Sequence, residues 1–245
     1  MSSFVNLLAL AFLGSVAGLI GGVILLFKKK WAKGLASHAI PLAAGVLLAV
    51  SLLNLFPEAV EEIGDKAFPI VLSVFVVLFL IERFLFNLHH HNHHETKLET
   101  TIPTVIFGDT VHNFLDGVAI AAAFLVNPSL GLVVALSTFL HETPHEIADF
   151  GILLSAGWSR QKAFVANLFS ALATFPGALL TYFYASQVES AVGVLLAIAA
   201  GLFLYVAATD FLPEVSHAPK TKPWRQALLL IMGILIIVVL GVVVP

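Results

Sequence analysis

The placement of apolar residues constrains this chain more than any other feature. Eight runs, at approximately 4–27, 39–61, 68–88, 104–126, 131–155, 163–185, 191–214 and 226–244, are each long enough to cross about 30 Å of hydrocarbon. Only 11% of the 245 residues are charged and 59% are hydrophobic, too little polar surface to cover a soluble domain. A backbone crossing lipid must satisfy its own N–H and C=O groups, and runs of this length do so as helices. The expected fold class is therefore all-α: a polytopic membrane protein of eight transmembrane helices, one membrane domain over 1–245. The first run has no basic residue ahead of it and no small-residue cleavage site, so it reads as a retained span, not a removed signal peptide.

Orientation follows from the cations. Lys28, Lys29, Lys30 and Lys33 follow the first run, and Arg83 and Lys97 bracket the loop after the third. Arg160 and Lys162 follow the fifth, and Lys220, Lys222 and Arg225 precede the eighth. Alternate connections thus hold all Lys and Arg but Lys66, which lies among Glu61, Glu62 and Asp65. Positive connections belong in the cytoplasm, which puts both termini outside it. The expected location is the plasma (cell inner) membrane, with the lipid bilayer as partner and no nucleic acid. The chain has no cysteine, which excludes disulfides, thiolate metal sites and a cysteine nucleophile.

The connection between the third and fourth runs, a cytosolic loop over 89–101, carries His89, His90, His91, His93 and His94. A tract of this composition is either a solvated linker or a metal-collecting segment. A second regularity links two runs. Asn54-Leu-Phe-Pro57-Glu58 near the end of the second matches Asp210-Phe-Leu-Pro213-Glu214 near the end of the seventh. The orientation above makes these runs point opposite ways. Helices 1–3 and 6–8 are therefore expected to form an inverted repeat around helices 4 and 5.

The chemistry concentrates in those central two. His141-Glu-Thr-Pro-His-Glu-Ile-Ala-Asp149 lies inside the fifth run, and His141, Glu142, His145, Glu146 and Asp149 share a helical arc of roughly 140°. In the fourth run, Asp109, His112, Asn113 and Asp116 share an arc of about 100°. No Lys or Arg occurs between Lys97 and Arg160, so these acids have no cationic partner nearby in sequence. Carboxylates buried without a cation must be protonated, solvated or bound to metal. Histidines interspersed among them favour metal, because imidazole and carboxylate together suit zinc and its neighbours. Two other chemistries compete. His141-Glu142-x-x-His145 spells the HExxH of zinc peptidases, and an intramembrane zinc metalloprotease would use it. Buried acid–histidine pairs also serve proton-coupled transport. Pro144 opposes the protease, since it breaks the regular helix that presents both imidazoles in such enzymes. In the sixth run, Asn167 and Thr174 are candidate oxygen donors.

His112-Asn113-Phe-Leu-Asp116-Gly117, the His141–Asp149 motif and Asp210-x-x-Pro213-Glu214-x-x-His217 together resemble the ZIP (Zrt/Irt-like) family of divalent-metal transporters, in its histidine-rich branch. The resemblance implies a non-enzymatic transporter moving a divalent ion, Zn²⁺ first and Fe²⁺, Mn²⁺ or Cd²⁺ as other substrates, into the cytoplasm. It implies a two-metal site between helices 4 and 5. Carried over by position, His112, Asn113, Glu142 and His145 are direct ligands, while His141, Asp116 and Glu146 complete the shell or line the route. Asn167 stands where some relatives have a carboxylate. Asp109, Asp149, Glu58, Asp210, Glu214 and His217 are assigned to the transport path, and a homodimer is compatible with this reading.

Overall fold

A computed structural model describes residues 3–86, 98–185, 191–217 and 222–243, and among these no strand occurs. Helices occupy all eight apolar runs. The first run holds α1 (Ser3–Gly14) and α2 (Ile20–Phe27), and the second α3 (Lys29–Val50) and α4 (Phe56–Ile63). The third to fifth hold α5 (Ala67–Ile81), α6 (Leu98–Val126) and α7 (Pro128–Ser155). The sixth holds α8 (Arg160–Ala171) and α9 (Thr174–Tyr184). The seventh holds α10 (Ala191–Val206) and α11 (Leu212–His217), and the eighth α12 (Pro223–Val243). Within the loop expected over 89–101, residues 98–101 already belong to α6, and the five histidines lie outside the described residues.

Five stretches are long and apolar enough by themselves to cross a membrane: Lys29–Phe84, Val105–Val126, Arg160–Tyr184, Ala191–Ser216 and Pro223–Val243. The first contains two of the expected runs, divided at Gly64, whose φ of 62° ends α4 in a conformation that favours glycine. At 28 residues α7 is also long enough, about 42 Å, but its ionisable groups dilute its apolar character. It starts at Asn127, whose side chain accepts from the Ser129 N–H, with Pro128 at the first helical position. It ends in a Schellman turn: Gly157 at φ 84°, with Trp158 N–H donating to Leu153 O and Gly157 N–H to Leu154 O. Between these caps α7 runs unbroken through Pro144.

Proline leaves its mark instead in the second and seventh runs. There α4 and α11 each open with a π-helical turn immediately ahead, at Ser51–Leu55 and Ala207–Phe211. Pro57 and Pro213 have no N–H to give and crowd the carbonyl four residues back, so the ladder widens by one residue. The two runs are antiparallel neighbours. Ser51 Oγ donates to Ala200 O at 2.7 Å, while Gly193 packs on Glu62 and Ile63, so position rises along one run as it falls along the other. Helix neighbours also exchange as an inverted repeat requires. α3 packs on α12 and α10 on α5; α1 and α2 pack on α7, and α8 and α9 on α6.

Small residues set the closest crossings. Gly117 lies against the carbonyl of Thr174 and Gly177 against that of Phe114, a reciprocal pair where α6 meets α9. Gly45 and Gly233 do the same between α3 and α12, against Leu230 O and Leu42 O. The core is correspondingly rich in alanine, with Ala119, Ala121, Ala122 and Ala123 of α6 and Ala43 and Ala44 of α3 fully buried.

Candidate metal site between two central helices

The i, i+4 spacing of His112 and Asp116 on α6 and the adjacent His141 and Glu142 on α7 bring four donors together where the helices face each other. His112 Nε2 lies 3.2 Å from His141 Nε2, 3.3 Å from Glu142 Oε1 and 3.7 Å from Asp116 Oδ2. His141 Nε2 lies 3.3 Å from Asp116 Oδ2 and 3.5 Å from Glu142 Oε1. A tetrahedral ion with bonds of about 2.0–2.2 Å holds its ligand atoms about 3.3–3.6 Å apart. Three of the five separations fall in that range and the other two, 3.2 and 3.7 Å, lie just outside it, so the set approximates five edges of one such tetrahedron.

Hydrogen bonding sharpens the point. His141 is fully buried, and its Nδ1 lies 3.0 Å from the Ser137 carbonyl, which accepts only a proton. That bond assigns the proton to Nδ1 and turns the Nε2 lone pair towards two carboxylates and a second imidazole. Groups crowded in this way repel unless a proton or a metal cation sits among them. Asp116 and Glu142 are as buried as His141, and both Asp116 oxygens and Glu142 Oε1 lack a hydrogen-bond partner. Among the described residues no Lys or Arg pairs with any of them.

A second group adjoins the first: Asp109, Glu142 and Glu146, each with one oxygen within 4.8 Å of the others'. Neither oxygen of the buried Glu146 has a partner. Glu142 belongs to both groups, so two cations can share its carboxylate. The first group offers two nitrogens and two oxygens, and the second offers oxygen alone.

Of the remaining candidates, Asn113 is fully buried but turned to other work. Its amide nitrogen donates to Asp109 O at 3.1 Å and to Asp109 Oδ1 at 2.9 Å. Its oxygen accepts from Ser15 Oγ at 3.0 Å and Thr174 Oγ1 at 3.4 Å. Asn113 thereby holds Asp109 so that Oδ2 stays free for the acidic group. His145 contributes no atom to either group. Its ring stacks on His112 at 5.4 Å and 17° and meets Phe211 at 5.3 Å. Asn167 donates to Ala163 O within its own helix, and Asp149 stays outside both groups. Asp210 is exposed in the π turn beside Phe211, its carboxylate accepting from Thr209 Oγ1 at 2.8 Å. Glu58 is half-buried in the first turn of α4; Glu214 is exposed in the first turn of α11, which His217 closes. Two contacts carry no obvious sequence signal. The Ser137 carbonyl is a backbone group, and Ser15 reaches Asn113 from the break between α1 and α2. Tyr205, on α10, donates to Glu82 in the π turn after α5.

The human zinc transporter ZIP4 is 44% identical over 131 residues, 54% of this chain and 20% of the relative's length. Zinc transporter ZIP10 of Danio rerio is 42% identical over 121 residues, 49% and 14% of the two lengths. Zinc transporter foi of Drosophila melanogaster is 41% identical over 131 residues, 54% and 18%. The matched stretch thus spans a fifth or less of these relatives. The family model described as ZIP Zinc transporter matches residues 88–241, well over half of the chain, and the chain belongs to that family.

Proposed function

We propose that this protein carries Zn²⁺ through the membrane by way of the His112–Asp116–His141–Glu142 cluster, in eight crossings with both termini outside the cytoplasm. The observation that carries the reading is the near-tetrahedral set of donor separations, from 3.2 to 3.7 Å, around acids with no Lys or Arg partner among the described residues. The relatives' names, all of them zinc transporters, support the choice of cargo. Fe²⁺, Mn²⁺ and Cd²⁺ remain competing substrates, because such ligand sets follow availability as well as affinity.

Shared ligands explain how a tight site can release its ion. An ion leaving the histidines keeps Glu142 as it meets Asp109 and Glu146, so no step strips it of every ligand at once. Phe203 against His141 and Phe211 against His145 wall the site on the α10 side, where the π turn places Asp210. Movement is inward, driven by the gradient, with Glu58 on the outer side and Glu214 and His217 on the inner. The HExxH reading loses its basis in this arrangement. A peptidase binds one zinc with both of its motif histidines, whereas here His141 joins His112 and His145 stands apart.

Purified protein in liposomes loaded with a zinc-sensitive dye tests the proposal. External Zn²⁺ should raise the signal in wild type, and Glu142→Gln should reduce the rate by well over the ~10–100-fold typical of losing a supporting residue. Unimpaired uptake by that variant at low zinc would refute the site.

A further inference from the structure

All three tryptophans of the chain sit at helix junctions, and a cation covers each of them. Lys28 Nζ lies 4.3 Å from the Trp31 ring centroid, Lys162 Nζ 3.7 Å from that of Trp158, and Arg225 Cζ 5.3 Å from that of Trp224. These junctions follow the first and fifth runs and precede the eighth, so eight crossings put all three on one side of the membrane. One of them also contains a cleft. At Lys28 (φ −139°, ψ 69°) the chain leaves α2 and enters α3, and the two helices part. Between them opens a space of about 290 Å³ lined by Val23, Ile24, Phe27, Lys28 and Trp31. Its floor is apolar and its rim is cationic, with Lys29 and Lys30 beside Lys28, all exposed. None of the three has a carboxylate partner among the described residues. The acids Glu61, Glu62 and Asp65 lie one run away, at the opposite end of the membrane path.

We propose that this cleft binds an anionic phospholipid of the leaflet that the lysines face. An acyl chain lies along Val23, Ile24 and Phe27. The Trp31 indole takes the interfacial level that tryptophan favours. The Lys28 ammonium, resting over that ring, keeps N–H donors for the phosphodiester. A zwitterionic lipid brings its own cation to the same rim and gains less, so charge complementarity selects the anionic headgroup. The ligand neither reaches nor requires the metal cluster, and the proposal stands apart from the transport reading.

The test uses the full chain carrying W158F and W224F, which leaves Trp31 as the sole indole. The protein is placed in nanodiscs of phosphatidylcholine with a minor fraction of brominated phosphatidylglycerol or, in parallel, brominated phosphatidylcholine. Both leaflets share one composition, so the outcome does not depend on which way the protein faces. Brominated phosphatidylglycerol should quench Trp31 several-fold more strongly. K28Q/K29Q/K30Q should abolish the difference, each lysine contributing roughly fivefold to local anion occupancy, while K28R/K29R/K30R should keep it. Equal quenching by the two lipids, or a preference that survives the glutamine substitutions, would overturn the proposal. Displacement of the phosphatidylglycerol effect by inorganic phosphate would assign the rim to a free anion and overturn it equally.

Discussion

The reciprocal glycines of α6 and α9 make a sharp prediction, because the geometry fixes how much a single methyl must displace. A Cβ added at Gly117 would stand 2.0 Å from Thr174 O, and ordinary contact begins at 3.4 Å, so the helices must part by about 1.4 Å. Overpacking of this kind costs roughly 1–3 kcal/mol. The displacement also breaks the 3.4 Å hydrogen bond from Thr174 Oγ1 to Asn113, one turn from Gly117, which adds about 0.5–1.5 kcal/mol. Gly117→Ala should therefore destabilise by about 2–4 kcal/mol, a fall in Tm of roughly 5–15 °C for a chain of this size. Gly108→Ala, on the same helix but with nothing within 4 Å of the new methyl, should leave Tm essentially unchanged. Gly177→Ala, 2.1 Å from Phe114 O, should match Gly117→Ala. The double variant should lose much less than the sum, since one methyl has already opened the crossing for the other. Thermal unfolding in detergent, with uptake measured on the same preparations, reads all four. A Gly117→Ala melt within a degree or two of wild type, or strictly additive losses, would refute the close crossing.

Further outcomes follow for the site and its surroundings. His141→Ala should cut initial zinc uptake by more than about 100-fold and His145→Ala by about tenfold or less, because of these two only His141 joins His112 in pointing a nitrogen into the cluster; equal losses would return His145 to the ligand set. Deleting His89 to His94 should keep maximal uptake within a few-fold, and its complete loss in a well-expressed variant would make the tract part of the route. The chain has no native cysteine, so single cysteines at 58 and 214 can be probed cleanly with an impermeant thiol reagent. Position 58 should react from outside and 214 from inside, and labelling of both from one side would contradict the inverted topology.

How far the sequence spoke for the fold depended on which physical signal each element carries. Apolar run length predicts where helices stand, and helices occupy every run expected to hold one. The repeat was read from Asn54-Pro57-Glu58 and Asp210-Pro213-Glu214. A further match, Ala43-Ala44-Gly45 with Ala199-Ala200-Gly201, keeps the same register nine residues ahead of Asn54 and Asp210 and was there to be found. The break in the first run, at 15–19, has no proline to announce it, whereas that in the sixth, at 172–173, falls four residues ahead of Pro176, which has no N–H for the Leu172 carbonyl and crowds it. At Pro144 the sequence predicts a break in the regular helix, yet α7 is helical on both sides of it. Removing one N–H does not end a helix held along its length by neighbours.

The site shows the same division. Helical periodicity places His112, Asp116, His141 and Glu142 on facing arcs, and the structure brings these four together. What periodicity cannot supply is the partner of each atom. Asn113 sits on the correct arc and is fully buried, but its four hydrogen-bond contacts run to Ser15, Thr174 and two atoms of Asp109. His145 sits on the correct arc as well, but its ring is occupied in stacking on His112. An arc about 140° wide admits more candidates than one ion can coordinate. The choice among them falls to second contacts: the Ser137 carbonyl that fixes the proton of His141, and the Asn113 amide that leaves one oxygen of Asp109 free. In the proposed site those contacts give a polar stripe one geometry. Substitutions at Ser15 or Thr174 should therefore lower zinc affinity through Asn113 and Asp109 by more than the modest stability lost with the hydrogen bond itself, as zinc titration of the folded variants measures.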